Sequence, residues 1–170
     1  MKKSLLNDIK QKAEQLPGIL DAVLIDSSTI VASEWVRWKC RFGCTGYSNC
    51  LTCPPYAPTP SETNEYLKCY SKAILLHSHE YRKLRAAVLK TEKDAFLSGL
   101  RKALGLSAGP CNLCASCALD EGCRHPDKSR PSLEACGIDV YTTVRSNGLK
   151  IEVLTSTDQT PDYYAIVLLD

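Results

Sequence analysis

The spacing of four cysteines between residues 111 and 123 constrains this chain more than any other feature of its sequence. They follow the pattern C-x2-C-x2-C-x5-C, and the first three thiols fall within seven residues. Thiols this close along one segment cannot all reach a single small ion without crowding the backbone, but they can wrap around a cubane iron–sulfur cluster. Structural zinc is usually held by two separated C-x2-C knuckles. The spacing therefore favours an iron–sulfur cluster over zinc on Cys111, Cys114, Cys117 and Cys123.

A second cysteine group precedes the first in the chain, with the spacing C-x3-C-x5-C-x2-C. Gly43 and Gly46 permit the backbone turns that a ligand loop needs. Pro54 fixes the exit direction, and a cysteine followed by proline also closes the ligand runs of bacterial ferredoxins. Zinc is a closer rival here, because the last two cysteines form one knuckle and the first two resemble another. Beside the first group, an iron–sulfur cluster is the favoured interpretation for Cys40, Cys44, Cys50 and Cys53.

The cysteine content also indicates where such a protein works. Ten cysteines in 170 residues imply either disulfides in a secreted protein or metal sites. The two N-terminal lysines resemble the start of a signal peptide, but Asn7, Asp8 and Lys10 interrupt the apolar stretch that would have to follow. No apolar run approaches the length of a membrane span. We therefore expect a cytoplasmic protein with no membrane partner, whose thiols stay reduced and bind metal.

The charge balance gives no indication of a nucleic-acid partner. The formal net charge of +2 and the pI of about 8.0 treat every cysteine as neutral. Metal-bound cysteines are thiolates, so the loaded protein would be mildly acidic. Basic and aromatic residues do not interleave as they do in nucleic-acid motifs. We therefore expect no nucleic acid among the partners.

Hydrophobic patterns and turn signals predict a single α+β domain over residues 1–170. Helical spacing or capping signals predict helices at 4–15, at 61–70 with Ser61 as the N-cap, at 80–105 with a break near Thr91 as an alternative, and at 130–137. Apolar runs or alternation predict strands at 19–25, 29–32, 72–77, 138–144, 149–154 and 163–169, with a hairpin turn at 146–148. Alternation at Trp35, Val36 and Trp38 leads from the sheet into the first cysteine loop. The expected fold is a mixed or antiparallel sheet with flanking helices and two cysteine-rich cluster-binding loops, at 40–56 and 109–126.

The remaining cysteines and the histidines have weaker signals. Cys69 is interpreted as a small buried residue within the helix that begins at Ser61, and Cys136 as structural. His77 and His79 follow a strand and are interpreted as polar residues at the strand end, with a role as metal ligands as the less favoured alternative. His125 stays open between three roles, which are a cluster ligand, a hydrogen-bond donor to cluster sulfur and a cap of a loop turn.

The cysteine motifs and their surroundings resemble a known family. They read Cys-Pro-Pro-Tyr-x-Pro at 53–58, Gly-Pro-Cys-x2-Cys-x2-Cys from residue 109 and Cys-Arg-His-Pro at 123–126. Together they resemble a family of small bacterial and archaeal cysteine-rich proteins described as predicted metal-binding proteins, a domain of unknown function. The resemblance covers most of the chain, including residues 130–132 and 137–139. It implies metal binding on the eight cysteines of the two groups and implies no reaction, while Cys69 and Cys136 lie outside its pattern.

Several functions are compatible with these residues. Four thiolates per group match the four iron corners of a cubane, so two [4Fe-4S] clusters are predicted, with two zinc ions as the alternative. Exchange of Cys53 or Cys123 between the clusters stays open, since the last cysteine of a ferredoxin run serves the other cluster. The favoured function is one-electron transfer with a redox partner protein. The alternatives are an enzyme with an open iron site, a redox or iron sensor, and a zinc-stabilised interaction module.

Overall fold

Four antiparallel strands form the sheet at the centre of the fold. The structure, a computed structural model, describes residues 2–170, with side chains from Ser4 onward. The strands are β1 (Asp21–Asp26), β2 (Lys72–Ser78), β3 (Leu104–Leu106) and β4 (Tyr163–Leu169). Their spatial order is β1-β2-β4-β3, and every neighbouring pair is antiparallel. The continuous apolar runs of β2 and β4 suit the two central positions, because both faces of a central strand are buried.

Five α-helices surround the sheet in the described part of the chain. They are α1 (Lys2–Glu14), α2 (Glu34–Gly43), α3 (Pro60–Leu67), α4 (Tyr81–Leu97) and α5 (Val140–Ser146). Two short 3-10 turns lie at Ser27–Thr29 and Glu134–Cys136. The predicted α+β class with flanking helices is therefore confirmed, and the sheet is antiparallel. No helix within residues 2–170 combines the length and the apolar character needed to cross a membrane.

The sheet carries one apolar cluster on each face. Helices α1 and α4 cover the first face, where Ile9, Leu84 and Val88 pack against Ile74 and other residues of β2 and β4. The second face is covered by the 3-10 turn that ends at Cys136, by α5 and by the segments around them. Each cluster includes fully buried side chains, so the core is divided between the two faces of the sheet.

The segment from Ser27 to Gly43 differs from its predicted form. The predicted strand at 29–32 is absent: Thr29 ends a 3-10 turn that begins at Ser27, and Ala32 makes only an isolated bridge to Ile138. The alternation from Trp35 to Cys40 belongs to helix α2, so the strand interpretation was wrong. Residues four apart lie on the same face of a helix. Val36, which is buried, and Cys40, which is half-buried, therefore share the inner side of α2, while Trp38 is exposed.

The segment from Ile138 to Leu154 was also predicted incorrectly. Helix α5 replaces the predicted strand because Asp139 caps it, accepting hydrogen bonds from the Thr142 amide at 3.0 Å and hydroxyl at 2.7 Å. Asn147 is the C-cap, and Gly148 has a φ of 78°, so Asn-Gly ends a helix here rather than turning a hairpin. Residues 149–154 form neither helix nor strand.

Smaller corrections concern α3 and α4. Helix α4 runs without a break through Thr91 but ends at Leu97, and the last residues of the predicted helix form β3. The side chain of Phe96, near the end of α4, is exposed. Helix α3 is capped by Thr59 rather than Ser61, through a reciprocal capping box with Glu62.

Candidate metal centres

Backbone pairing outside the sheet brings the two cysteine segments together. The Ser107 amide donates to the Pro131 carbonyl at 2.8 Å, and the Leu133 amide donates to the Ser107 carbonyl at 3.0 Å. This pairing, centred on the bridge between Ser107 and Ser132, closes the base of the second cysteine loop. The Ser33 amide donates to the Gly137 carbonyl at 2.8 Å, so the start of α2 is tied to the same region. Both cysteine segments therefore extend from one part of the fold.

Three cysteines of the first group line one cavity of about 160 Å³, called here the first cavity. Cys40 lies in the last turn of α2, Cys44 is the C-cap of that helix, and Cys53 is buried in the turn that follows. Gly46 lies between two of the thiols, because a Cβ atom there would be 3.3 Å from the Cys53 sulfur and 3.5 Å from the Cys44 sulfur. Glu134 also lines this cavity.

Five cysteines line a second cavity, also of about 160 Å³, called here the second cavity. Four of them are the predicted group of the second loop, and the fifth is Cys50 from the first group. The Leu51 amide donates to the Cys117 sulfur at 3.4 Å, which fixes the turn containing Cys50 against the second loop. The structure thus brings together Cys50, Cys111, Cys114, Cys117 and Cys123.

Cys50 lies at the boundary between the two cavities. Its thiol interacts with the thiol of Cys53 on one side and with that of Cys117 on the other. The eight predicted ligands are therefore grouped as three and five, not four and four. Cys53 and Cys123, named above as candidates for exchange, each lie with other members of their own run.

The pKa values of the thiols reflect their proximity. Burial, followed by the nearby Cys50 and Cys44 thiols, raises the pKa of Cys53 to about 12. Burial acts to raise the pKa of Cys50 as well, but hydrogen bonds with Thr52 and with the Cys117 and Cys53 thiols outweigh it and lower the pKa. Like charges held this close repel one another, and a bound cation relieves that repulsion.

Hydrogen-bond donors point at several of the sulfur atoms. Three backbone amides donate at an N···S distance of 3.4 Å, namely those of Gly46 to Cys44, Leu51 to Cys117 and His125 to Cys123. The ring of His125 belongs to the lining of the second cavity. Donors of this kind favour the thiolate form that metals bind and tune cluster potentials.

Arg85 is a feature of the site that the sequence did not indicate. This buried arginine of α4 places Nη2 3.8 Å from the Cys111 sulfur and donates from Nη1 to the Asn112 side chain at 2.5 Å. A basic residue on a helix face is usually solvated. Arg85 differs only because it contacts Cys111 and Asn112, which lie 26 and 27 positions further along the chain.

The two cysteines outside the motifs lie apart from both cavities in the part of the chain that the structure describes. Cys136, interpreted above as structural, is fully buried in the core of the second sheet face, and burial raises the pKa of its thiol to about 12. Cys69 follows the C-cap of α3 and is exposed, so its predicted burial was wrong. Helix α3 ends at Leu67, before Cys69, so Cys69 is not held on the inner face of the helix.

A comparison with known protein families adds an independent observation. The sequence pattern of the family described as "Predicted metal-binding protein (DUF2284)" matches residues 23–169, which include all eight cysteines of the two cavities. The chain belongs to this family. The resemblance to this family is thereby confirmed. Comparison with curated proteins and with solved structures produced no match.

Proposed function

We propose that the protein binds two [4Fe-4S] clusters and transfers single electrons to or from a partner protein in the cytoplasm. The observation that carries this proposal is the pair of adjacent cavities lined by three and five cysteines. Cys40, Cys44 and Cys53 are the ligands proposed for the first cavity. Cys111, Cys114, Cys117 and Cys123 are those proposed for the second, and Cys50 is proposed to complete the first set from the boundary.

The size of the cavities supports clusters over single ions. Each has about 160 Å³, whereas a space of roughly 10–15 Å³ holds one water molecule. Sulfur-directed amides are also typical of iron–sulfur sites, where they tune the potential.

The position of Cys50 supports electron transfer as the role of the pair. Because its thiol interacts with thiols of both cavities, two bound clusters would be separated by little more than one side chain. Iron–sulfur clusters supply one-electron redox chemistry. The surrounding protein holds the thiolates, donates hydrogen bonds to them and, through the buried Arg85, adds a positive charge beside Cys111.

The exposed face of α2 is the surface we propose for the redox partner. Trp35, Trp38 and Phe42 are exposed beside Cys40, and the Trp38 and Phe42 rings lie 6.0 Å apart. The cations of Lys39 and Arg41 lie over the Trp35 and Phe42 rings. A partner with acidic residues around an apolar patch fits this surface best, because exposed aromatic side chains are enriched in protein interfaces.

A second candidate function follows from the division of the eight cysteines into groups of three and five. If Cys50 serves the second cavity, a cluster in the first cavity would have only three protein ligands, and its fourth iron could bind a substrate. A further cavity of about 390 Å³ opens beside Cys40 and Cys44 and is lined by Trp35, Glu134 and Tyr141 among others. An enzyme with an open iron site is therefore the alternative. A zinc-stabilised interaction module is the remaining alternative function.

Anaerobic purification followed by iron, sulfide and zinc analysis tests the proposal. We expect about eight irons with matching sulfide per chain, and EPR spectra of two interacting cubanes after reduction. Cys114→Ser should lower the iron content by about one cluster, while Cys69→Ser, at an exposed cysteine outside the cavities, is the matched control. About two zinc ions per chain without sulfide would overturn the proposal and favour the zinc module.

A further inference from the structure

Two histidines and an aspartate meet at one end of the sheet. His77 near the end of β2 and His79 just after it are two residues apart, so both side chains emerge on the same side of the sheet. Ser78 pairs with Tyr163 of β4, which brings Asp162 beside His79. Asp21 of β1 pairs with His77 from the other side. The topology thus gathers polar side chains from three strands.

The distances within this cluster match those between ligands of one metal ion. His77 Nε2 lies 2.8 Å from an Asp162 carboxylate oxygen, and His79 Nδ1 lies 3.4 Å from the same oxygen. All three ligand atoms fall within 4.8 Å of one another. Two ligands that are each about 2.1 Å from a metal lie about 3.0 Å apart at a right angle and about 3.4 Å apart in a tetrahedron.

The surroundings of His77 fix its ring in the orientation that a ligand needs. Asp21 Oδ2 lies 2.8 Å from His77 Nδ1 and can accept a hydrogen bond from it, while Nε2 is directed towards Asp162. The Tyr164 ring stacks on the His77 ring with centroids 4.5 Å apart and an interplanar angle of 8°. A carboxylate that holds the far nitrogen of a ligating histidine is the usual support of metal sites.

A purely structural role would account for part of this arrangement. The His77 ring can bridge the Asp21 and Asp162 carboxylates, and His79 Nδ1 can donate to the Pro161 carbonyl at 3.2 Å. Such a bridge has no need of His79, whose ring stands at 84° to that of His77 with its Nδ1 directed at the same carboxylate. The approach of the His79 imidazole to the same Asp162 oxygen that His77 contacts is the observation that indicates a cation.

We propose that His77 Nε2, His79 Nδ1 and the Asp162 carboxylate bind one divalent transition-metal ion. Two imidazole nitrogens and one carboxylate oxygen suit borderline ions such as Zn²⁺, Fe²⁺, Co²⁺ or Ni²⁺ rather than Mg²⁺ or Ca²⁺. His79 is 45% exposed and Asp162 28%, so water has access to complete the coordination. Asp21 is a positioning residue for His77. The site does not depend on the proposed iron–sulfur clusters, because it contains no cysteine.

Cobalt titration of the anaerobically purified protein, with its cysteine sites loaded, tests the site. Co²⁺ on nitrogen and oxygen ligands gives weak visible bands without the near-ultraviolet thiolate-to-cobalt transition. We expect one such ion per wild-type chain. His79→Ala and Asp162→Asn, at partly exposed positions, should each weaken binding by more than about tenfold, and Asp21→Asn should do so by about 10–100-fold.

Asp158→Asn is the matched control, because Asp158 is an exposed carboxylate in the segment that leads to Asp162. Its cobalt affinity should equal that of the wild type, and circular dichroism should show that every variant is folded. Absence of the thiolate-free cobalt spectrum in the wild type would overturn the proposal. Equal affinity of the wild type and both ligand variants would overturn it as well.

Discussion

A hydrogen bond from the Leu51 amide to the Cys117 sulfur joins two residues that are 66 positions apart in the chain. It fixes the turn of the first cysteine segment against the loop of the second. The neighbouring residue Cys50 is thereby carried into the second cavity, while Cys53 stays in the first. The two cysteines of one C-x2-C pair thus face different sites.

This separation predicts unequal effects for two similar substitutions. Cys53→Ser leaves only Cys40 and Cys44 in the first cavity, so we expect a loss of about four irons per chain, since each cubane needs a ligand at its corners. Cys50→Ser removes the ligand proposed to complete the first set from the boundary but leaves all three cysteines that line the first cavity, so it should cost less iron. Iron and sulfide analysis of both variants checks this. Equal losses would contradict the grouping of three and five.

Arg85 should raise the reduction potential of the cluster that Cys111 binds. Its guanidinium lies 3.8 Å from that sulfur, and a nearby cation favours the reduced, more negative state of a cluster. We expect Arg85→Met to lower the midpoint potential by on the order of 50 mV, since about 59 mV corresponds to a tenfold change for one electron. Redox titration followed by EPR measures the shift. Arg101→Met, at an exposed arginine, is the control and should leave the potential unchanged.

Cys69 and Cys136 should differ sharply in reactivity towards iodoacetamide in the loaded protein. The nucleophile is the thiolate. Burial raises the pKa of Cys136 to about 12, so this thiol stays protonated as the pH rises from 7 to 9 and should remain unmodified. Cys69 is exposed and should be alkylated readily. Peptide mass spectrometry locates the modification, and labelling of Cys136 before unfolding would contradict its burial.

The ion pair between Glu92 and Arg130 should stabilise the closing end of the second cysteine loop. Two hydrogen bonds of 2.8 and 2.6 Å join the side chains, which are 15% and 18% exposed. Arg130→Met should lower the free energy of unfolding by about 2 kcal/mol, less than the 3–5 of a fully buried pair. Lys68→Met breaks the exposed pair with Glu65 and should cost about 0–1 kcal/mol. Anaerobic urea denaturation compares the two, and equal losses would contradict the prediction.

The parts of the fold that could be predicted from the sequence are those fixed by long apolar runs. Strands β2 and β4 each present several consecutive apolar residues, and such segments are stable only in the middle of a covered sheet. Helices α2 and α5 were missed because the apolar alternation in α2 and the β-branched residues in α5 are typical of strands. In α5 the cap at Asp139 outweighs the strand propensity of Val140 and its neighbours.

The cysteine positions were predictable, but their grouping was not. Local spacing determines which thiols share a turn, as for Cys40 and Cys44 at the end of α2. Contact between Cys50 and Cys117 depends on how two distant segments dock, which no local pattern encodes. The same holds for His77 and Asp162, which are 85 positions apart and meet only through strand pairing.

The pairing of Ser107 with Ser132 separates the second cysteine loop from the sheet and the helices that cover it. The two apolar clusters of the described residues contain Cys136 but none of the eight candidate ligands. Zinc fingers, by contrast, lose their fold with their metal, because the ligands are their core. Here we expect the apoprotein to keep its scaffold when the cysteines are vacant, so that a lost metal centre could be rebuilt without refolding of the chain.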